Sequence, residues 1–166
     1  MFRGGRIHMT PGEQKQMIEE IRKLPSSLEA AVKGLSDAQL DTPYRLGGWT
    51  VRQVVHHIAD SHMNAFIRMK LTLTENHPTL KPYDQDRWAA LVDSARLPIE
   101  PSLALVRGLH TRWAALLDTV SYNEWTRAAY HPENGEMTLE KILTVYAGHG
   151  EKHVGTIRTL RLHKGW

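Results

Sequence analysis

The chain has 166 residues, which suits a single globular domain and leaves little room for a second; its 41% hydrophobic and 23% charged residues exclude wholesale disorder. Lys and Arg total 21 against 18 Asp and Glu, and this net charge of +3, without any basic run, argues against a nucleic-acid partner. The absence of cysteine excludes disulfides, thiolate metal ligands and a cysteine nucleophile, and it accords with a reducing cytoplasm, while no apolar run approaches the roughly 20 residues that span a bilayer and no signal-peptide core follows the N-terminus.

Residues 1–9 read as a loose leader. Thr10-Pro11-Gly12-Glu13 is a helix start, with Thr10 as cap, Pro11 at the first helical position and Glu13 closing a capping box. Met17, Ile18, Ile21, Leu24, Leu28, Ala31, Val32 and Leu35 then keep helical spacing, and Pro25 within them predicts a kink or short break. A turn-rich stretch, Ser36–Gly48, precedes Thr50, which with Gln53 opens a second helix over about Val51–Thr74. Asn76–Pro82 reads as a loop, Asp84–Val92 as a short connecting helix and Leu97–Pro101 as a further break. A third long helix is predicted over about Ser102–Val120, a short one after Ser121, a loop over Tyr130–Glu136, and a last long helix over about Leu139–Leu162, opened by Thr138. Four long amphipathic helices with short connecting helices define an all-α four-helix bundle, with the connection between the second and third long enough to cross one end.

Ten histidines are many for this length. On the last helix, Leu139, Ile142, Leu143, Tyr146, Val154, Ile157 and Leu160 form one face, and His149 and His153, four residues apart, fall within it or at its edge. Gly150 between them removes bulk where something else approaches. Two buried, unpaired imidazoles cost on the order of 1–3 kcal/mol each, and a shared divalent cation would offset that cost. The second helix offers His56, His57 and His62: spacing alone prefers His62 as the inward ring, then His57, with His56 on the opposite side. Three imidazoles from two helices leave a metal with an open position, the pattern of a catalytic rather than a structural site.

The block Gly47-Gly48-Trp49-Thr50-Val51-Arg52-Gln53-Val54-Val55-His56-His57-Ile58-Ala59-Asp60-Ser61-His62, with the distant His149-x-x-x-His153, resembles the DinB superfamily and most closely its YfiT-like branch of metal-dependent hydrolases. Leu40–Arg45, Lys81–Asp84 and Tyr130-His131-Pro132 extend the resemblance over nearly the whole chain. The resemblance implies a four-helix bundle holding one divalent metal through His57, His149 and His153, and it prefers His57 where spacing prefers His62. It also implies a small-molecule substrate, a homodimer, and chemistry on water or on an external low-molecular-weight thiol such as bacillithiol. All-nitrogen ligation suits zinc or nickel first, then copper or iron. A non-catalytic metal- or ligand-binding bundle is the competing class.

Of the remaining candidates, Asp60 and Glu151 lie near the ligand histidines in sequence but on faces pointing away, as solvated carboxylates or as orienting partners of a ligand ring. Arg52 is a helix-surface arginine or the partner of an anionic substrate; Tyr83 is a plain loop residue or a substrate contact; His62 supports a ligand ring from behind or lines the pocket; His56 lies at the surface or against a loop. Ligand imidazoles must be neutral, so metal affinity is expected to fall below about pH 6.5.

Overall fold

The computed structural model describes residues 9–166. Four long helices dominate it: α1 (Pro11–Val32), α3 (Val51–Thr74), α6 (Glu100–Leu117) and α7 (Leu139–Lys164). The short helices α2 (Asp37–Leu40), α4 (Gln85–Ala89) and α5 (Val92–Arg96) lie in the connections, and strands β1 (Ala128–His131) and β2 (Gly135–Thr138) form a hairpin before α7. Helix α1 packs on α6 and α7, and α3 packs on the same two helices, so α1 and α3 are diagonal in the bundle. The predicted leader lies outside the described residues except for Met9, whose amide donates to Glu140 at 2.7 Å.

Three helix starts form as their sequences dictate. Thr10, Ser36 and Thr50 each make a reciprocal capping box, with Glu13, Gln39 and Gln53 respectively. Thr138 ends β2 and caps α7 through Lys141. Helix α1 does not break at Pro25 but runs through it. Packing on α6 and α7 along one face holds the turn together despite the lost hydrogen bond. The stretch expected as a loop over Tyr130–Glu136 is instead the antiparallel hairpin, pairing Ala128 with Thr138 and His131 with Gly135. Its four-residue strands are too short for alternation to announce, and backbone bonds from Leu80 to Tyr130 and from Tyr130 to Pro78 tie it to the loop after α3.

The core is layered. One apolar cluster joins Leu24 and Leu28 of α1, Val51, Val54, Val55, Ile58 and Ala59 of α3, Val106 of α6, and Val154, Ile157 and Leu160 of α7. The other joins Ile18 and Ile21, Ala65, Phe66 and Met69, Trp113 and Leu117, and Leu139, Ile142 and Leu143. Between them, at one level of the bundle, α3 contributes His57 and His62, α6 His110 and α7 His149. Gly150 serves the helix contact at this level rather than a ligand: a Cβ there would stand 2.3 Å from Leu24 of α1.

Helix α3 is enclosed on most sides because α4 and α5 cross over the face that α6 and α7 leave open. Arg52, expected at the surface, and His56, expected at the surface or against a loop, are therefore both inside. The guanidinium of Arg52 is 4% exposed and donates to Asp41 at 2.6 Å, Asp37 at 2.8 Å and the Leu97 carbonyl at 2.9 Å. It thus ties two connecting segments together, the one bearing α2 and the one before α6, instead of facing a substrate. His56 is buried as well, with Nδ1 2.7 Å from Ser102 Oγ and Nε2 3.2 Å from the Leu97 carbonyl. Arg52→Ala is expected to destabilise the fold by about 2–3 kcal/mol in urea titration, since charge-assisted bonds to a buried group are lost. Arg52→Lys should recover only part of this, because one ammonium cannot replace a three-way fork.

Candidate metal centre

His57 projects from α3 toward His149 and His153, which are stacked one turn apart on α7. One ring nitrogen from each of the three lies within 4.8 Å of the others, and they are the one such group among the described residues. The closest pair is His57 Nε2 and His149 Nε2, 3.3 Å apart. Two nitrogens bound tetrahedrally to one ion at 2.0–2.1 Å stand about 3.3 Å apart, so the spacing is that of two ligands of a common cation. The ring of Trp49 closes one side, with its centroid 4.6 Å from His57 and stacked on His153 at 6.4 Å. The turn over residues 43–50, with Gly47 at φ +67°, delivers Trp49 there, and its indole N–H is held by Asp86 at 3.0 Å.

Behind the cluster the rings continue. His149 Nδ1 is 3.1 Å from His62 Nε2, His62 Nδ1 is 3.0 Å from His110 Nε2, and His110 Nδ1 is 2.5 Å from the Ile21 carbonyl oxygen. Both His57 and His62 thus face inward, and the preference that spacing gave to His62 marks the ring behind the site. His110 was missed, although Val106, His110, Trp113 and Leu117 recur at helical spacing as the inward stripe of α6. Trp113 floors this row, 5.7 Å from His62 and 5.5 Å from His110.

Burial governs the charge of the cluster. Desolvation, reinforced by repulsion from neighbouring rings, brings the pKa values of His57 and His149 down to about 3, and desolvation followed by the charge of Lys152 pushes that of His153 down as well. His57 and His149 are therefore neutral and available to a cation far below pH 6.5, so proton competition at these two rings sets in at lower pH than the sequence suggests.

The other expected residues are sorted by position. Glu151 is exposed and paired with Arg158 at 2.8 Å, remote from the cluster because its side of α7 faces solvent. Asp60 is not solvated as expected: half-buried beneath the crossing segment, its carboxyl is raised to about 6 by desolvation and then by Asp93. Tyr83 packs its ring on Trp88 at 4.4 Å, and its buried hydroxyl is the one buried side-chain polar atom among the described residues without a hydrogen-bond partner. Ser61, one turn beyond His57, is the nearby hydroxyl, but it is turned to the Ile58 carbonyl at 3.4 Å. Desolvation pushes the Tyr83 phenol up, followed by the influence of Tyr146 and Asp60. Tyr146 borders a cavity of about 180 Å³ that also includes Arg68, His131, Asn134 and Lys141 over an apolar floor. No carboxylate lines it. Tyr146 connects the two places, with its hydroxyl on Arg68 at 3.2 Å and its ring 5.7 Å from His149.

The sequence matches the DinB superfamily over residues 20–157, and the chain belongs to that family. It is 52% identical over 157 residues to a protein of Geobacillus kaustophilus named "Putative metal-dependent hydrolase", covering 93% of this chain and 88% of that one. A Bacillus cereus protein of the same name is 50% identical over 149 residues, covering 90% and 86%. The solved structure of YfiT from Bacillus subtilis, described as "a probable metal-dependent hydrolase with an unusual four-helix bundle topology", superposes with a TM-score of 0.94 at 45% identity, covering 98% of this chain and 93% of that one.

The depressed histidine pKa values carry a stability consequence. Unfolded, His57 and His149 take up protons near pH 6.5; folded, they do so near 3, so between these values the unfolded state holds more protons and stability falls as pH falls. The slope is up to about 1.4 kcal/mol per pH unit per ring. Asp60 opposes it between about pH 6 and its unfolded value, as one group against two. The urea midpoint of the metal-free protein should drop between pH 7 and pH 5; a flat profile would mean the rings are not buried in neutral form.

Proposed function

We propose that this protein is a metal-dependent enzyme that binds one divalent ion, zinc or nickel, through His57, His149 and His153 and acts as a hydrolase on a small anionic molecule. The observation that carries the reading is the convergence of three neutral ring nitrogens, two of them 3.3 Å apart, from two helices distant in sequence. Three neutral ligands leave the charge of the ion undiminished and leave coordination positions over. When bound, such an ion supplies Lewis-acid chemistry, bringing water or an external thiol to the deprotonated state near neutral pH or polarising a substrate carbonyl. The names of the close relatives support water as the nucleophile. The chain has no cysteine, so thiol transfer would require a thiol from solution.

The surrounding residues have roles that follow from their positions. Trp49 walls the cluster and excludes bulk water from one side. The unpartnered Tyr83 hydroxyl is a donor awaiting an acceptor, which fits a substrate oxygen. Arg68 and Lys141, in a cavity free of carboxylates, fit the anionic end of a substrate that reaches past Tyr146 toward the histidines.

Untagged protein should carry one divalent ion per chain by elemental analysis, and His57→Ala, His149→Ala and His153→Ala should each lose it. Retention of wild-type metal content in these variants would refute the ligand set. With p-nitrophenyl esters of small dicarboxylic acids, turnover should vanish on chelation and return with zinc or nickel. Turnover only with an added thiol and a chlorinated bimane would instead identify thiol transfer.

The cavity gives a separate expectation. Lys141→Met, at an exposed side chain, should raise KM for an anionic ester about tenfold and leave a neutral ester unchanged. Equal effects on both would remove Lys141 from substrate recognition.

A further inference from the structure

Proline has no N–H, so within a helix the carbonyl four residues earlier loses its normal donor. In α1 that carbonyl belongs to Ile21, which is 1% exposed and out of reach of solvent. Its oxygen lies 2.5 Å from His110 Nδ1. A carbonyl can only accept, so His110 Nδ1 bears the hydrogen. Burial pushes the pKa of His110 down and keeps the ring neutral, which leaves its Nε2 bare. That bare nitrogen accepts from His62 Nδ1 at 3.0 Å, His62 Nε2 is bare in turn, and it accepts from His149 Nδ1 at 3.1 Å. The proton order ends with an unprotonated Nε2 on His149, the atom that faces His57 at 3.3 Å.

We infer that Pro25, by releasing the Ile21 carbonyl, anchors a relay through His110 and His62 that holds His149 in the tautomer able to bind a cation. A row of neutral imidazoles can be protonated in either direction, and the two directions have the same hydrogen bonds between rings. Only the end group distinguishes them. In the reversed order, His110 would turn a lone pair toward the carbonyl oxygen, and His149 would carry a hydrogen where the ion belongs. His62 and His110 are thus positioning residues for His149, and Pro25 positions them from a third helix. The value of this to the protein rests on His149 being a ligand, but the tautomer order itself does not.

The order is measurable in full-length, metal-free protein labelled with 15N-histidine. At pH 7, long-range 1H–15N spectra should show His110, His62 and His149 all protonated at Nδ1. An Nε2–H tautomer at His149 in the wild type would overturn the proposal. In His110→Phe, His149 should populate the Nε2–H form, and zinc affinity should fall roughly 10–100-fold, the usual effect of removing a ligand-orienting partner. An unchanged tautomer and affinity in the folded variant would also overturn it. Pro25→Ala provides a second arm, since alanine favours the helix and returns an N–H to compete for the Ile21 carbonyl. The His110 Nδ1 proton should move upfield and zinc binding should weaken severalfold with no loss of thermal stability; an unmoved proton would remove Pro25 from the device. Failure of the wild type to bind zinc, with the tautomer order as stated, would refute the metal reading and leave the relay standing.

Discussion

Everything distinctive in this molecule depends on neutral imidazoles buried at the middle of a helical bundle. A bundle of this size is stabilised by its apolar clusters, and here there are two, above and below a polar layer. The layer carries a free-energy cost that packing alone does not offset, because each ring nitrogen removed from water needs a partner. The structure meets that need in two ways. Toward the interior, the rings bond to one another and finally to a main-chain oxygen. Toward the opening, between α3 and α7, ring nitrogens face each other at a spacing suited to a shared cation. Polar atoms arranged in this manner favour one set of helix positions over neighbouring registers, since a shift of one turn would leave several unpaired.

The enclosure of α3 is the second constraint. Because the segment bearing α4 and α5 crosses the bundle, α3 is packed on nearly its whole circumference. That crossing is secured from within by Arg52 and His56, both of which reach the Leu97 carbonyl. The same segment carries Tyr83, Trp88 and Asp86, which respectively place a free hydroxyl near Ser61, cover it, and hold Trp49 against the histidines. The walls of the site and the closure of the bundle are therefore one piece of architecture. Substitutions that loosen the crossing should act on the site through its walls.

The chain belongs to the DinB superfamily and superposes on YfiT with a TM-score of 0.94, so the bundle that carries these walls is the fold of its relative. The histidine-bearing helices α3 and α7 are part of the bundle scaffold, while the hairpin borders the carboxylate-free cavity and the crossing segment covers α3. Loops on a rigid frame are the usual location of specificity.

Much of this was legible without coordinates. The capping residues, the four amphipathic helices and the inward placement of His149 are local properties of spacing and side-chain chemistry, and the GGWT-to-DSH block identified the family. Periodicity ranked His62 ahead of His57 on α3 although both face inward, since periodicity assumes one dry face and this helix has no wet one along most of its length. The burial of Arg52 and Asp60 was decided by which neighbours cross over them, information that no single helix contains, whereas the exposure of Glu151 followed from its outward side of α7. Pro25 is the clearest case. The sequence says that a carbonyl in α1 must lose its helical hydrogen, and only the tertiary structure, by laying α6 alongside, says that a histidine 89 residues away takes its place.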